Sequence, residues 1–176
     1  AAVELALAPL REKHGDTALS KVDRALARIY GLPSPTPDNP LQQPTLLWLP
    51  DLPDQAWFER EQFPFLSALE NATAQIREEL LGVLADESGL SPYIDMPESA
   101  PANAIFHALN RSPNWSAYHL YRHGERVDAN CQRCPKTVAL LESLPLLQIP
   151  EHSPEILFSV LRPKTHIPPH TGVING

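Results

Sequence analysis

The sequence predicts an α+β chain, with helices gathered in its first half and strands in its second. Three observations point there. Apolar residues recur at helical spacing over Leu19–Ile29 and again over Leu66–Val83, strict alternation takes over at Trp115, and a β-rich apolar run fills Ile156–Leu161. Proline sets how the elements are joined. With 20 prolines against 7 glycines in 176 residues, short elements are separated by stiff, extended connections. A mass of 19.5 kDa suits one domain, or one domain with a helical annex.

Residues 1–31 read as that annex, a helical hairpin. In its second arm Leu19, Val22, Leu26 and Ile29 form one stripe of a 3.6-residue period, with Asp16 as the expected N-cap and Gly31 as the stop. Pro9 weakens the first arm. Residues 32–53 hold seven prolines between Pro33 and Pro53 and read as a linker, whose apolar Leu46-Leu47-Trp48-Leu49 patch is expected to dock rather than hang free. Residues 54–176 then form the mixed domain. Helix is expected to resume after Asp54, and one longer helix to cover Leu66–Leu84. There Leu66, Leu69, Ile76, Leu80 and Val83 would be buried and Glu70, Arg77 and Glu78 wet. A polar, proline-broken stretch follows to Pro113, with a helical turn around Ala104–Leu109. Trp115, Ala117, His119 and Tyr121 alternate with Ser116, Tyr118 and Leu120, the pattern of a strand. A short helix over Thr137–Leu144 starts after Pro135, and Ile156–Leu161 reads as a buried strand.

Charge and composition exclude several functions. A net charge of -7 and a pI near 5.4 argue against a nucleic-acid phosphate backbone as partner. No apolar run reaches the ~18–20 residues of a membrane span. Ala1–Leu10 lacks a basic n-region and carries Glu4, so it does not read as a signal peptide, and a cytoplasmic location is expected. Cys131 and Cys134 are too few for a disulfide framework and are half of a four-cysteine zinc site. Joined to His119 or His123 they would make a zinc site of common, unspecific spacing, and thioredoxin-like chemistry would need a βαβ setting that is not visible. Glu78-Glu79 and Asp86-Glu87 read as a solvated face.

His166 and His170 are four apart, but Pro168 and Pro169 exclude the helix that would put both on one metal. In an extended segment they share a face about 13 Å apart, so at most one is a metal ligand.

The residues around them carry a resemblance. Ser159-Val-Leu-Arg-Pro-Lys-Thr165-His-Ile-Pro-Pro-His170-Thr-Gly172 resembles the signature of the aspartyl/asparaginyl β-hydroxylases. Asn114-Trp115, Gly124, Asn130-Cys131, Pro135-Lys136-Thr137 and Leu141-Glu142 follow that family's order, and the Trp57–Leu69 stretch with Phe63-Pro64-Phe65 is similar to bacterial members. The likeness covers roughly Pro44–Gly176. It implies N-terminal helices packed on the first part of a double-stranded β-helix, a jelly roll, with iron(II) as cofactor and 2-oxoglutarate as cosubstrate. His170 matches an iron ligand, while Trp115 and Ser159 match positions that contact 2-oxoglutarate. Gly172 would allow close backbone approach, and His166 matches a recurring histidine that is not a ligand. The family's second histidine ligand and its cosubstrate arginines fall beyond Gly176, so the chain is expected to be the front part of a longer hydroxylase. The implied reaction is hydroxylation at the β-carbon of Asp or Asn in a protein or peptide. The alternatives are a lipid A acyl-chain hydroxylase of the same family, or a non-enzymatic helical module with a truncated oxygenase half.

Overall fold

In the computed structural model of the chain, which describes residues 2–35, 37, 39–45, 47–53, 55–100 and 104–175, the first thirty residues form two helices, α1 (Ala2–His14) and α2 (Asp16–Ile29). Arg11 joins them by hydrogen bonds to both carboxylate oxygens of Asp23. α1 runs through Pro9, which removes one N–H donor without ending the helix. Asp16 is not the cap: Gly15 holds that position, and Asp16 opens α2, where a carboxylate favours the helix N-terminus. Gly31 is the stop. Its φ of +67° puts it in the left-handed region, and Gly31 N–H and Leu32 N–H close onto the carbonyls of Arg28 and Ala27, a Schellman ending.

These helices belong to the first of two compact units, Ala1–Phe58 with Pro169–Gly176. The proline-rich segment is pinned in this unit by its alternate non-proline residues. Thr45 N–H and Leu47 N–H donate to the carbonyls of Gly172 and Val173, and the Asn175 amide bonds both Leu49 N–H (2.6 Å) and Leu49 C=O (2.8 Å). Trp48, 8% exposed, donates to Gln42 Oε1 and lies under the Arg28 guanidinium. Docking of the apolar patch thus holds for Leu47, Trp48 and Leu49. Leu46 lies outside the described residues, as does Asp54, where helix was expected to resume.

The second unit is Glu59–Pro168. It starts with a 3-10 turn, Arg60–Gln62, so regular helix returns only at Leu66. The long helix expected from Leu66 is two: α3 (Leu66–Asn71) and α4 (Thr73–Asp86). They break at Ala72, where φ is -90° and ψ 0°, because Thr73 Oγ1 donates to Glu70 C=O and competes with the helical ladder. Of the expected stripe only Val83 is fully buried.

β1 (Ser91–Pro92), β2 (Trp115–Arg122), β3 (Glu125–Arg126) and β4 (Ile156–Leu161) form one antiparallel sheet with β2 paired to all the others. Being central, β2 is buried on both faces from Trp115 to Tyr118. β4 is half-buried, not buried as its composition suggests, since β2 is its sole strand partner among the described residues. α5 (Asp128–Arg133) and α6 (Pro135–Glu142) follow the β2–β3 hairpin. α5 is absent from the sequence reading because six residues rich in Asp, Asn and Cys show neither period nor propensity.

One sheet face builds the core. Tyr118 and Leu120 pack with Val83, Cys131, Cys134 and Val138, bordered by Phe158 and Leu141. Gly89 lets the ring of Tyr118 approach: a Cβ there would lie 2.7 Å from it and 2.8 Å from Asn130 Oδ1. Among the described residues no helix is long and apolar enough to cross a membrane.

Candidate functional site

The opposite sheet face carries the residues of chemical interest. Pairing of Trp115 with Leu161, Ala117 with Ser159 and His119 with Leu157 puts all six side chains on one side, away from the Tyr118–Leu120 core. Ala117 has no polar atom and little bulk, so Ser159 is flanked diagonally by Trp115 and His119. Trp115 and Ser159, 44 residues apart, meet: the indole N–H donates to Ser159 Oγ at 3.0 Å. Trp115 is 6% exposed, stacked on Tyr93 at 4.1 Å between ring centres and met edge-on by Phe106 at 5.8 Å. The indole is thereby immobilised with its N–H aimed at Ser159. Ser159 is exposed, and accepting from Trp115 leaves its own O–H free to donate to an anion. Tyr93 and Phe106 were not singled out from sequence, because they lie in the proline-broken stretch where no period marks a face.

His119 is the second polar group of this face. Its side chain is 14% exposed, and Nδ1 is buried 3.2 Å from Glu155 Oε1 without the alignment of a hydrogen bond. Burial lowers its pKa, and Glu155 opposes that shift. Glu155 also accepts from His123 N–H at 2.7 Å, tying the β2–β3 turn to the start of β4.

The zinc arrangement weighed for Cys131, Cys134 and the two histidines does not form. Both thiols are in the core on the other sheet face, Cys131 donates to Leu120 C=O, and burial pushes Cys134 up to about 11, so both are structural thiols. Of the paired acids, Glu78, Asp86 and Glu87 are exposed as expected, and Glu79 alone of the four is partly buried. Glu79 accepts from Lys136 N–H, Thr137 N–H and Thr137 Oγ1 at the start of α6, while Asp86 binds Arg133 and Glu87 binds Arg162.

His170 belongs to the first unit, in an irregular segment without helix, as the prolines require. It is exposed and lines a cleft of about 270 Å³ with Gln42, Thr171, Gly172 and Asn175. Among the described residues no three His, Cys, Asp or Glu side chains are grouped to hold a metal ion.

Residues 70–176, more than half of the chain, match the family model described as Aspartyl/Asparaginyl beta-hydroxylase. Similar curated proteins include the ornithine lipid ester-linked acyl 2-hydroxylase of Rhizobium tropici, 26% identical over 119 residues, which are 68% of this chain and 38% of that protein. The aspartyl/asparaginyl beta-hydroxylase of Homo sapiens is 30% identical over 124 residues, 69% of this chain and 15% of that protein. Aspartate beta-hydroxylase domain-containing protein 2 of Xenopus tropicalis is 29% identical over 136 residues, 77% and 34% of the two chains. The chain therefore spans between 15% and 38% of the length of these relatives.

Proposed function

This chain belongs to the aspartyl/asparaginyl beta-hydroxylase family, and from that premise we propose that it is part of an iron(II)- and 2-oxoglutarate-dependent hydroxylase acting on the β-carbon of Asp or Asn in a protein or peptide. The observation that carries the reading is the Trp115–Ser159 hydrogen bond across the paired strands, with Ser159 exposed. Two residues matched to the cosubstrate site on sequence alone are neighbours in space, with donors suited to a carboxylate. Ser159 O–H would donate to one carboxylate oxygen, and the indole N–H would either orient that hydroxyl or exchange it for a ligand oxygen. The stacked Tyr93 keeps water from the indole's flat side. In this reading the sheet is the beginning of a double-stranded β-helix, and the Trp115–Ser159 face is its interior.

The described residues do not make an iron site by themselves, since they contain no cluster of three candidate ligands. His170 is proposed as one ligand, its partners lying outside these residues. A second reading, a lipid acyl chain as substrate, is favoured by the likeness to the ornithine lipid hydroxylase.

The test is succinate release by the complete gene product with 2-oxoglutarate and iron(II), given an Asp- or Asn-containing peptide or an acyl lipid in separate reactions. Substrate-stimulated release with oxygen incorporated is expected with the peptide; stimulation by the lipid alone selects the second reading. Ser159→Ala should raise the 2-oxoglutarate requirement about tenfold, the worth of one hydrogen bond to a charged group. Release from neither substrate, or a Ser159→Ala requirement equal to wild type, overturns the proposal.

A further inference from the structure

His119 is left without a role by the Trp115–Ser159 pair, yet its position is specific. It stands opposite Leu157, two residues before Ser159 on β4, and two residues beyond Ala117 on β2. Ser159 therefore has Trp115 as one diagonal neighbour and His119 as the other, each at the ~7–8 Å backbone spacing that long side chains bridge. Ala117, opposite Ser159, is small and fully buried, so no long side chain stands between the two. The imidazole is 14% exposed, and its Nδ1 is buried 3.2 Å from Glu155 Oε1 without the alignment of a hydrogen bond.

We infer that His119 is a further binding residue of this face, gripping as an imidazolium the same ligand carboxylate that Ser159 holds. The inference rests on the reading of Trp115 and Ser159 as an anion-binding pair. Glu155 is what makes the protonated form accessible. Nδ1 lies 3.2 Å from its carboxylate, so a proton on that nitrogen is paired with Glu155 and the ring's other nitrogen is the one left for a ligand. Neutral His119 with its proton on Nδ1 would present a lone pair to that ligand and repel it. Binding an anion thus draws a proton onto the ring.

The charged and titratable groups around His119 are Glu155 ahead of β4, which favours protonation, and Arg122 and His123 at the end of β2, which oppose it together with burial. The free ring is held largely neutral, and the ligand supplies the missing counter-charge. Affinity for a carboxylate ligand should then rise as pH falls, with a proton uptake that averages about one half per ligand between pH 8 and 6.

Calorimetric titration of 2-oxoglutarate into the metal-free complete gene product, in two buffers of different ionisation enthalpy between about pH 6 and 8, measures that uptake directly. The expected wild-type result is tightening of roughly tenfold from about pH 8 to 6. In His119→Gln the pH slope and the proton uptake should vanish and binding weaken several-fold. In Ser159→Ala binding should weaken while the slope stays, and Glu155→Gln should move the slope to lower pH. Should Ser159→Ala bind as wild type, the cosubstrate reading falls. Should Ser159→Ala weaken binding while His119→Gln keeps the wild-type slope, the role of His119 falls and the cosubstrate reading stands. If His119→Gln does not fold, Glu155→Gln decides, and an unmoved slope overturns the inference.

Discussion

Glu78 and Glu79 are adjacent and chemically alike, and the fold puts them to different uses. Glu78 meets the Lys136 ammonium at the surface, an exposed pair worth little. Glu79 accepts three hydrogen bonds at the start of α6, from Lys136 N–H (2.8 Å), Thr137 N–H (2.8 Å) and Thr137 Oγ1 (2.6 Å). Burial pushes its pKa up, but the bonds from Thr137 and Lys136 outweigh it and the net shift is downward. A carboxylate with a depressed folded-state pKa contributes stability that is present above its ordinary value near 4.3 and lost as pH falls through the folded value. Glu79→Gln should therefore destabilise the protein by about 1–2 kcal/mol at neutral pH, and the difference from wild type should shrink in acid. Urea titrations at neutral and acidic pH measure this; an equal difference at both would assign the loss to packing. Nothing in the sequence marks Glu79, because its partners lie 57 and 58 residues on. Trp115 and Ser159 were legible because their neighbours form a recognisable motif, and His119 shared their face by simple alternation.

Elements were legible where period or punctuation was strong. The alternation over Trp115–Tyr121 predicts β2, observed as Trp115–Arg122, Gly31 ends α2, and Pro135 opens α6. The errors fall where a side chain competes with the backbone, as Thr73 does between α3 and α4, or where an element is too short for any period, as in α5. Glycines separate two kinds of element-level demand. At Gly31 an added Cβ meets nothing within 4 Å, so Gly31→Ala meets backbone strain alone, about 1 kcal/mol. At Gly89 the φ is +88° and the same Cβ would strike the buried Tyr118 ring and the Asn130 amide, which itself donates to His119 C=O. Gly89→Ala should lose about 3 kcal/mol or more, strain and overpacking together. Chemical denaturation of the two variants should rank Gly89→Ala well below Gly31→Ala, and equal losses would show that the Tyr118 contact yields freely.

At the scale of the molecule, one sheet has a face sealed by α4, α5 and α6 and another on which Ser159 and Leu161, the latter 44% exposed, still meet solvent. Among the described residues β4 has no strand on its outer edge, and an uncovered strand edge is where further chain can pair. The relatives extend well beyond the matched region, since this chain spans at most 38% of the length of the three described above. Composition could reveal neither fact; the first needs the register of β2 with β4, and the second needs the relatives. Oxidation of a C–H bond by this family's proposed route needs cosubstrate and metal held together, whereas residues 1–176 offer His170 as one candidate ligand and no described cluster of three. A polypeptide of these residues should therefore release no succinate above background from 2-oxoglutarate and iron(II), while the complete gene product does. In the complete product His170→Ala should weaken iron(II) or manganese(II) binding at least about tenfold, a loss that removing even a ligand's supporting partner can reach, and His166→Ala should be much milder. Equal turnover by the 1–176 polypeptide and the complete product would place a working metal centre within these residues.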